Sequence, residues 1–129
     1  MTKIIDTKKA PAAIGPYIQG IDLGNMVITS GQLPVDPITG QFPSTIAEQT
    51  RRSLDNIKAI IEEAGLKVSD IVKTMVFMHD LNEFSEMNKV YEDFFKEHQA
   101  NFPARSCVQV ARIPKDAKIE IEVIAVRKF

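Results

Sequence analysis

Residues 105–127 read RSCVQVARIPKDAKIEIEVIAVR, two alternating runs on either side of a turn at Pro114 to Asp116. Ser106, Val108 and Val110 fall on one side of the first run, and Ile119, Ile121, Val123 and Ala125 on one side of the second. Alternation at period two predicts half-buried strands. If the two strands pair as a hairpin, their apolar sets share a face only when the numbers of paired residues sum to an odd value, because a one-residue slip turns a whole strand over. A turn centred between Pro114 and Lys115 meets that condition. The same register gathers Arg105, Cys107 and Gln109 with Lys118, Glu120, Glu122 and Ile124 on the opposite, polar face.

Upstream of this pair, Ile71 to Met78 is a β-branched and apolar run without Gly or Pro, which predicts a buried strand. Asn82 is read as the cap of a helix carrying Phe84, Met87, Tyr91 and Phe94 along one side, finished before Pro103. An earlier helix starts at Thr45, whose spacing to Glu48 is that of a capping box. Leu54, Ile57, Ile61 and Ala64 recur along it at helical steps, Gly65 follows its end, and Arg51, Arg52, Lys58, Glu62 and Glu63 form a solvated face. The opening third reads as short strands at Lys3 to Asp6, Tyr17 to Gly20 and Met26 to Ser30, separated by Gly, Pro, Asp and Asn. Three strands, a helix, a strand, a helix and two strands predict one α+β domain over 1–129, a mixed six-stranded sheet with two helices packed on one face.

Composition narrows the function. With 129 residues, 44% apolar and 26% charged, the chain has the size and balance of one globular domain and no room for a second. The single Cys107 cannot form an internal disulfide, and no apolar run approaches the ~20 residues of a membrane span, so a cytoplasmic location is expected. Sixteen Lys plus Arg against seventeen Asp plus Glu leave a net charge of -1, and two Tyr and no Trp offer little for stacking bases, which disfavours nucleic acid. Two His and one Cys form no metal-ligand spacing, and no P-loop or dinucleotide fingerprint is present.

Helices on one face leave the polar face to meet water or another copy of the chain, and Ile124 and Val126 at its end argue for a partner. An enclosed Arg105 needs a carboxylate, from the protein or from a ligand. In the hairpin register Glu120 lies about four residues away along the strands, roughly 13 Å, so the two are not forced to pair and Arg105 is free for a ligand. The rival chemistry, Cys107 as a nucleophile served by His79 and Asp80, has no sequence feature that brings the three together.

Residues 105–112, Ile113 to Asp116 and 119–126, with Ala12 to Tyr17, Thr29 to Gln32, Pro34 and Phe77 to Leu81, together resemble the RidA (YjgF) family of reactive-intermediate deaminases over nearly the whole chain. The resemblance implies a chorismate-mutase-like fold, a homotrimer with clefts between subunits, and cofactor-free hydrolysis of 2-imino acids to 2-oxo acids and ammonia. In that picture Arg105 holds the substrate carboxylate and Glu120 polarises the attacking water as a general base. Gly31 lets backbone approach the ligand, Ser30 and Cys107 border it, and Tyr17 and Asn88 shape the cleft. A non-catalytic trimer that binds 2-oxo acids would use the same arginine, and would leave imine hydrolysis unaccelerated.

Overall fold

The computed structural model describes residues 2–128, so Met1 and Phe129 of the predicted domain lie outside the described residues. Strands β1 (Lys3–Ile5), β2 (Gly20–Asp22) and β3 (Met26–Thr29) form an antiparallel meander, closed between β2 and β3 by the predicted turn, where Asp22 Oδ1 accepts from the Gly24 amide at 2.9 Å. The strand expected at Tyr17 to Gly20 starts only at Gly20. Residues ahead of it are held instead by Gln19, whose buried side chain bonds Thr7, Ala10 and Pro11 backbone and fixes the loop in place of a ladder.

Helix α1 (Ile46–Glu63) begins where the capping spacing places it: Thr45 Oγ1 accepts from the Glu48 amide at 3.1 Å. The Glu48 carboxylate accepts from the Thr45 hydroxyl itself, at 2.9 Å. Gly65 follows with φ of 84°, a left-handed conformation that a side chain would strain. Helix α2 (Phe84–Glu97) is preceded by a 3-10 turn at Leu81–Glu83, and the cap there is Asp80, accepting from the Asn82 amide, rather than Asn82. Asp80 precedes the turn with an extended backbone and reaches an amide two residues on, the Asx geometry of turns, whereas Asn82 already lies inside the turn.

β4 (Ile71–Met78) has its predicted bounds, but only alternate residues are buried and Val72 is exposed. The sheet order is β1-β2-β3-β6-β4-β5, with β5 spanning Ala104–Gln109 and β6 spanning Ile119–Val126. The hairpin expected of β5 and β6 is not formed. β4 inserts between them, parallel to β5 through the α2 crossover and antiparallel to β6. The physical reason is the connection: nine residues, 110–118, with a 3-10 turn at Pro114–Asp116, separate β5 from β6, too many for a two-residue hairpin turn and enough to pass an intervening strand.

Both helices cover one face of the sheet. Leu54, Ile57, Ile60 and Ile61 from α1 and Met87, Phe94 and Phe95 from α2 pack against Val76, Met78, Ile119, Ile121, Val123 and Ala125, all essentially inaccessible. The polar side of α1 is not wholly solvated. Asn56 is buried and donates to the Leu33 and Val35 carbonyls at 3.0 and 2.9 Å, while its Oδ1 accepts from Arg52. Gln49 likewise joins Pro43 to Lys118. Asn56→Ala is therefore expected to lose about 2 kcal/mol of stability by leaving carbonyls unpaired; a urea midpoint unchanged from wild type would show that the loop does not depend on this side chain.

Candidate active site

The insertion of β4 decides where the site residues go. Thr74 pairs with Arg105 and Phe77 with Glu120, and positions three apart on one strand face opposite ways. Arg105, Cys107 and Gln109 thus lie on the helix side with Thr74, Val76 and Met78, while Ser106 and Val108 point outward and Val108 is exposed. This corrects the register expected from the sequence: within one chain, Arg105 and Glu120 emerge from opposite faces of the sheet, and the apolar alternation of β5 does not mark its buried side.

Arg105 sits under α2. Its Nη1 donates to Asn88 Oδ1 at 2.7 Å, and its guanidinium carbon lies 4.7 Å from the Tyr91 ring centroid and 5.4 Å from that of Phe84. Among the described residues no carboxylate pairs with it. It opens with Asn88, Tyr91, Glu92, Phe102 and Pro103 onto a cleft of about 470 Å³. Cys107, the next residue on this side of β5, is half-buried, and burial pushes its thiol up despite the opposing pull of Arg105. A thiol raised in this way is a poor nucleophile. Asp80 is engaged as a cap, and no hydrogen bond joins His79 to Cys107 among the described residues, so the cysteine triad does not assemble.

Glu120 belongs to a second group. It lies in a larger cleft of about 810 Å³ with Tyr17, Ser30, Gly31, Pro114 and Lys115. Burial, and after it the charge of Glu122, raises its carboxyl above the usual range. Ser30 donates to the Ile18 carbonyl at 2.5 Å, and Tyr17, 53% exposed, accepts weakly from the Ile14 amide at 3.4 Å. Gly31 has a role that its motif did not reveal: a Cβ there would lie 2.9 Å from Glu120 Cδ, so the missing side chain makes room for the carboxylate. Tyr91, Thr74, Phe84 and Lys115 were also missed. The first three look like ordinary core periodicity, and Lys115 like a solvated turn residue. Among the described residues no cluster of His, Cys, Asp and Glu could hold a metal, and no helix is long and apolar enough to cross a membrane.

The fold is shared with known structures. The crystal structure of TdcF from E. coli with bound serine superposes with a TM-score of 0.97 at 62% identity, covering 98% of this chain and 99% of that one. The YjgF gene product of E. coli gives 0.97 at 67% identity over 98% and 99% of the two chains. These are small α+β proteins of a single fold. The family model described as Endoribonuclease L-PSP matches residues 7–127, and the chain belongs to that family, the RidA (YjgF) family. Among curated relatives, the 2-iminobutanoate/2-iminopropanoate deaminase of E. coli strain K12 is 68% identical over 128 residues, 99% of this chain and 100% of that one. The deaminase of the same name from Salmonella typhimurium is 66% identical over 99% and 100% of the two chains.

Gly31 does not have a left-handed φ, and the three atoms nearest to a methyl group there all belong to the Glu120 side chain. Gly31→Ala is expected to turn the Glu120 carboxylate aside while changing stability by less than about 1 kcal/mol. A crystal structure of the variant with Glu120 in its present place would contradict this.

Proposed function

We propose that the protein is a cofactor-free hydrolytic deaminase that converts 2-imino acids, such as 2-iminopropanoate and 2-iminobutanoate, to 2-oxo acids and ammonia. The observation that carries the reading is the pair of incomplete half-sites: an arginine with no anionic partner on one face and a desolvated glutamate on the other, in a chain 68% identical to a deaminase of these substrates. A homotrimer with its clefts between subunits joins the two halves, Arg105, Asn88 and Cys107 from one copy and Glu120, Gly31, Ser30 and Tyr17 from the next. The outer face favours such association. Ile4, Ile21, Ile28 and Ile124 pair in succession across β1, β2, β3 and β6, and Ile4 is 69% exposed, an apolar stripe that water covers poorly.

In this reading Arg105 takes the substrate carboxylate through charge-assisted hydrogen bonds and so fixes the imine carbon. Glu120 accepts a proton from water as the oxygen adds to the C=N carbon and passes that proton to the nitrogen, which becomes an amine. The resulting carbinolamine collapses: Glu120 takes its hydroxyl proton and delivers it to the nitrogen as the C–N bond breaks, so that the 2-oxo acid and ammonia form and the carboxylate is restored. Ser30 and Tyr17 line the cleft and orient water and substrate. A net charge of -1 gives no basic stripe for RNA, and the lone thiol of Cys107 suits the reducing cytoplasm.

Turnover of 2-iminobutanoate, generated in place by a dehydratase, tests the reading through ammonia release. Arg105→Ala and Glu120→Gln are each expected to fall at least ~100-fold. Co-refolded at equal amounts they are expected to recover about a quarter of wild-type activity, because one cleft in every mixed trimer regains both residues. Absence of recovery would refute the shared site, and a wild type without acceleration would leave a 2-oxo acid sensor.

The pH dependence follows from the raised carboxyl of Glu120. The base acts when ionised, so kcat is expected to fall as pH drops through a midpoint above that of an ordinary glutamate. A midpoint at or below the ordinary value would remove Glu120 from this role.

A further inference from the structure

Every group that holds Arg105 is neutral. Asn88 supplies an amide oxygen to Nη1, and the rings of Tyr91 and Phe84 lie against the guanidinium at 4.7 and 5.4 Å. An aspartate at position 88 would neutralise the charge, whereas an amide and two π faces hold the plane and leave the charge for a ligand.

Of the two rings, Tyr91 is the one built into the core. It is 4% exposed, and its hydroxyl shares a 2.7 Å hydrogen bond with that of Thr74, which is wholly buried. Thr74 is also the residue paired directly with Arg105 between β4 and β5. Tyr91 thus spans from a fixed point on β4 to the cation on the neighbouring strand. The Phe95 ring also packs against it, tilted by 48°, with centroids 4.8 Å apart. A threonine here is otherwise hard to account for, since the helix-side positions of β4 that follow it are Val76 and Met78. A valine would fill the same space, but it could not anchor the phenol.

We propose that Tyr91, anchored by Thr74, is a positioning residue that holds the Arg105 guanidinium with its edge toward the cleft, and so sets the preference of the site for a carboxylate over a neutral group. The inference rests on the carboxylate-binding role of Arg105 proposed above. The guanidinium carbon lies over the ring, which restrains the group from the core side, so the N–H donors not used by Asn88 remain available to the two oxygens of a planar carboxylate. Truncating the ring frees the long arginine chain to other rotamers, and the penalty falls on ligands that need the fork.

The test compares 2-oxobutanoate with its neutral amide, 2-oxobutanamide, by titration calorimetry on the full-length protein. The ratio of the two affinities reads the arginine's orientation, whereas general loosening of the core weakens both ligands alike. Tyr91→Leu is expected to reduce the ratio about tenfold and Tyr91→Phe, which keeps the ring, no more than about threefold. Equal weakening of acid and amide by Tyr91→Leu, or an unchanged ratio, would overturn the proposal. Arg105→Ala separates the two readings: an intact preference in that variant means the carboxylate grip itself is wrong. If Tyr91→Leu does not fold, Phe84→Leu removes the other, half-buried ring; a ratio lowered about threefold supports the neutral cradle, and an unchanged one overturns it.

Discussion

Strand β4 stands between the strands that carry Arg105 and Glu120, and side-chain alternation along it sends the two to opposite faces of the sheet. Much of the molecule follows from this placement. The cation is sheltered by α2, which the β4-α2-β5 crossover lays over it, while the carboxylate is sheltered by the loops before β2 and after β3 and by the turn ahead of β6. One chain therefore carries the two charged groups on opposite faces, and among the described residues neither has an ion-pair partner.

The two halves restrain their charges by different means. Arg105 is held by a cradle without an anion, an amide and two aromatic rings. Glu120 is made reluctant to ionise by burial and by Glu122, and its place is reserved by the absent side chain of Gly31. In the proposed trimer each supplies what the other lacks: a fixed positive group for the substrate's carboxylate, and a carboxyl whose proton affinity has been raised toward that of a working base. The cost of desolvating each group is then met where the ligand binds, not by an internal salt bridge.

The loops that frame the Glu120 cleft have little regular structure and are held by buried amides. Gln19 binds the backbone of Thr7, Ala10 and Pro11; Gln49 binds Pro43 and Lys118; Asn56 binds Leu33 and Val35. These side chains saturate carbonyls that would otherwise be buried without donors. Their chemistry is that of surface residues, and only their partners, some of them dozens of positions away, make them interior ones.

Local periodicity and capping were enough to find both helices, the bounds of β4, the α+β class and every strand but β2, which lies further along than expected, because each depends on neighbours a few residues apart. The motif around Arg105 and Glu120 was likewise enough to nominate those two residues as a candidate site. Strand order lay beyond that reach. Val108 and Ser106 alternate with Arg105 and Cys107 in a way that suits either face, and the choice was made by β4 entering between β5 and β6 through a long-range crossover. Nor could periodicity tell Tyr91 from an ordinary core aromatic, or Thr74 from any β-branched strand residue. Their meaning comes from Arg105, 14 and 31 positions further along the chain, which only the tertiary fold brings to the same place.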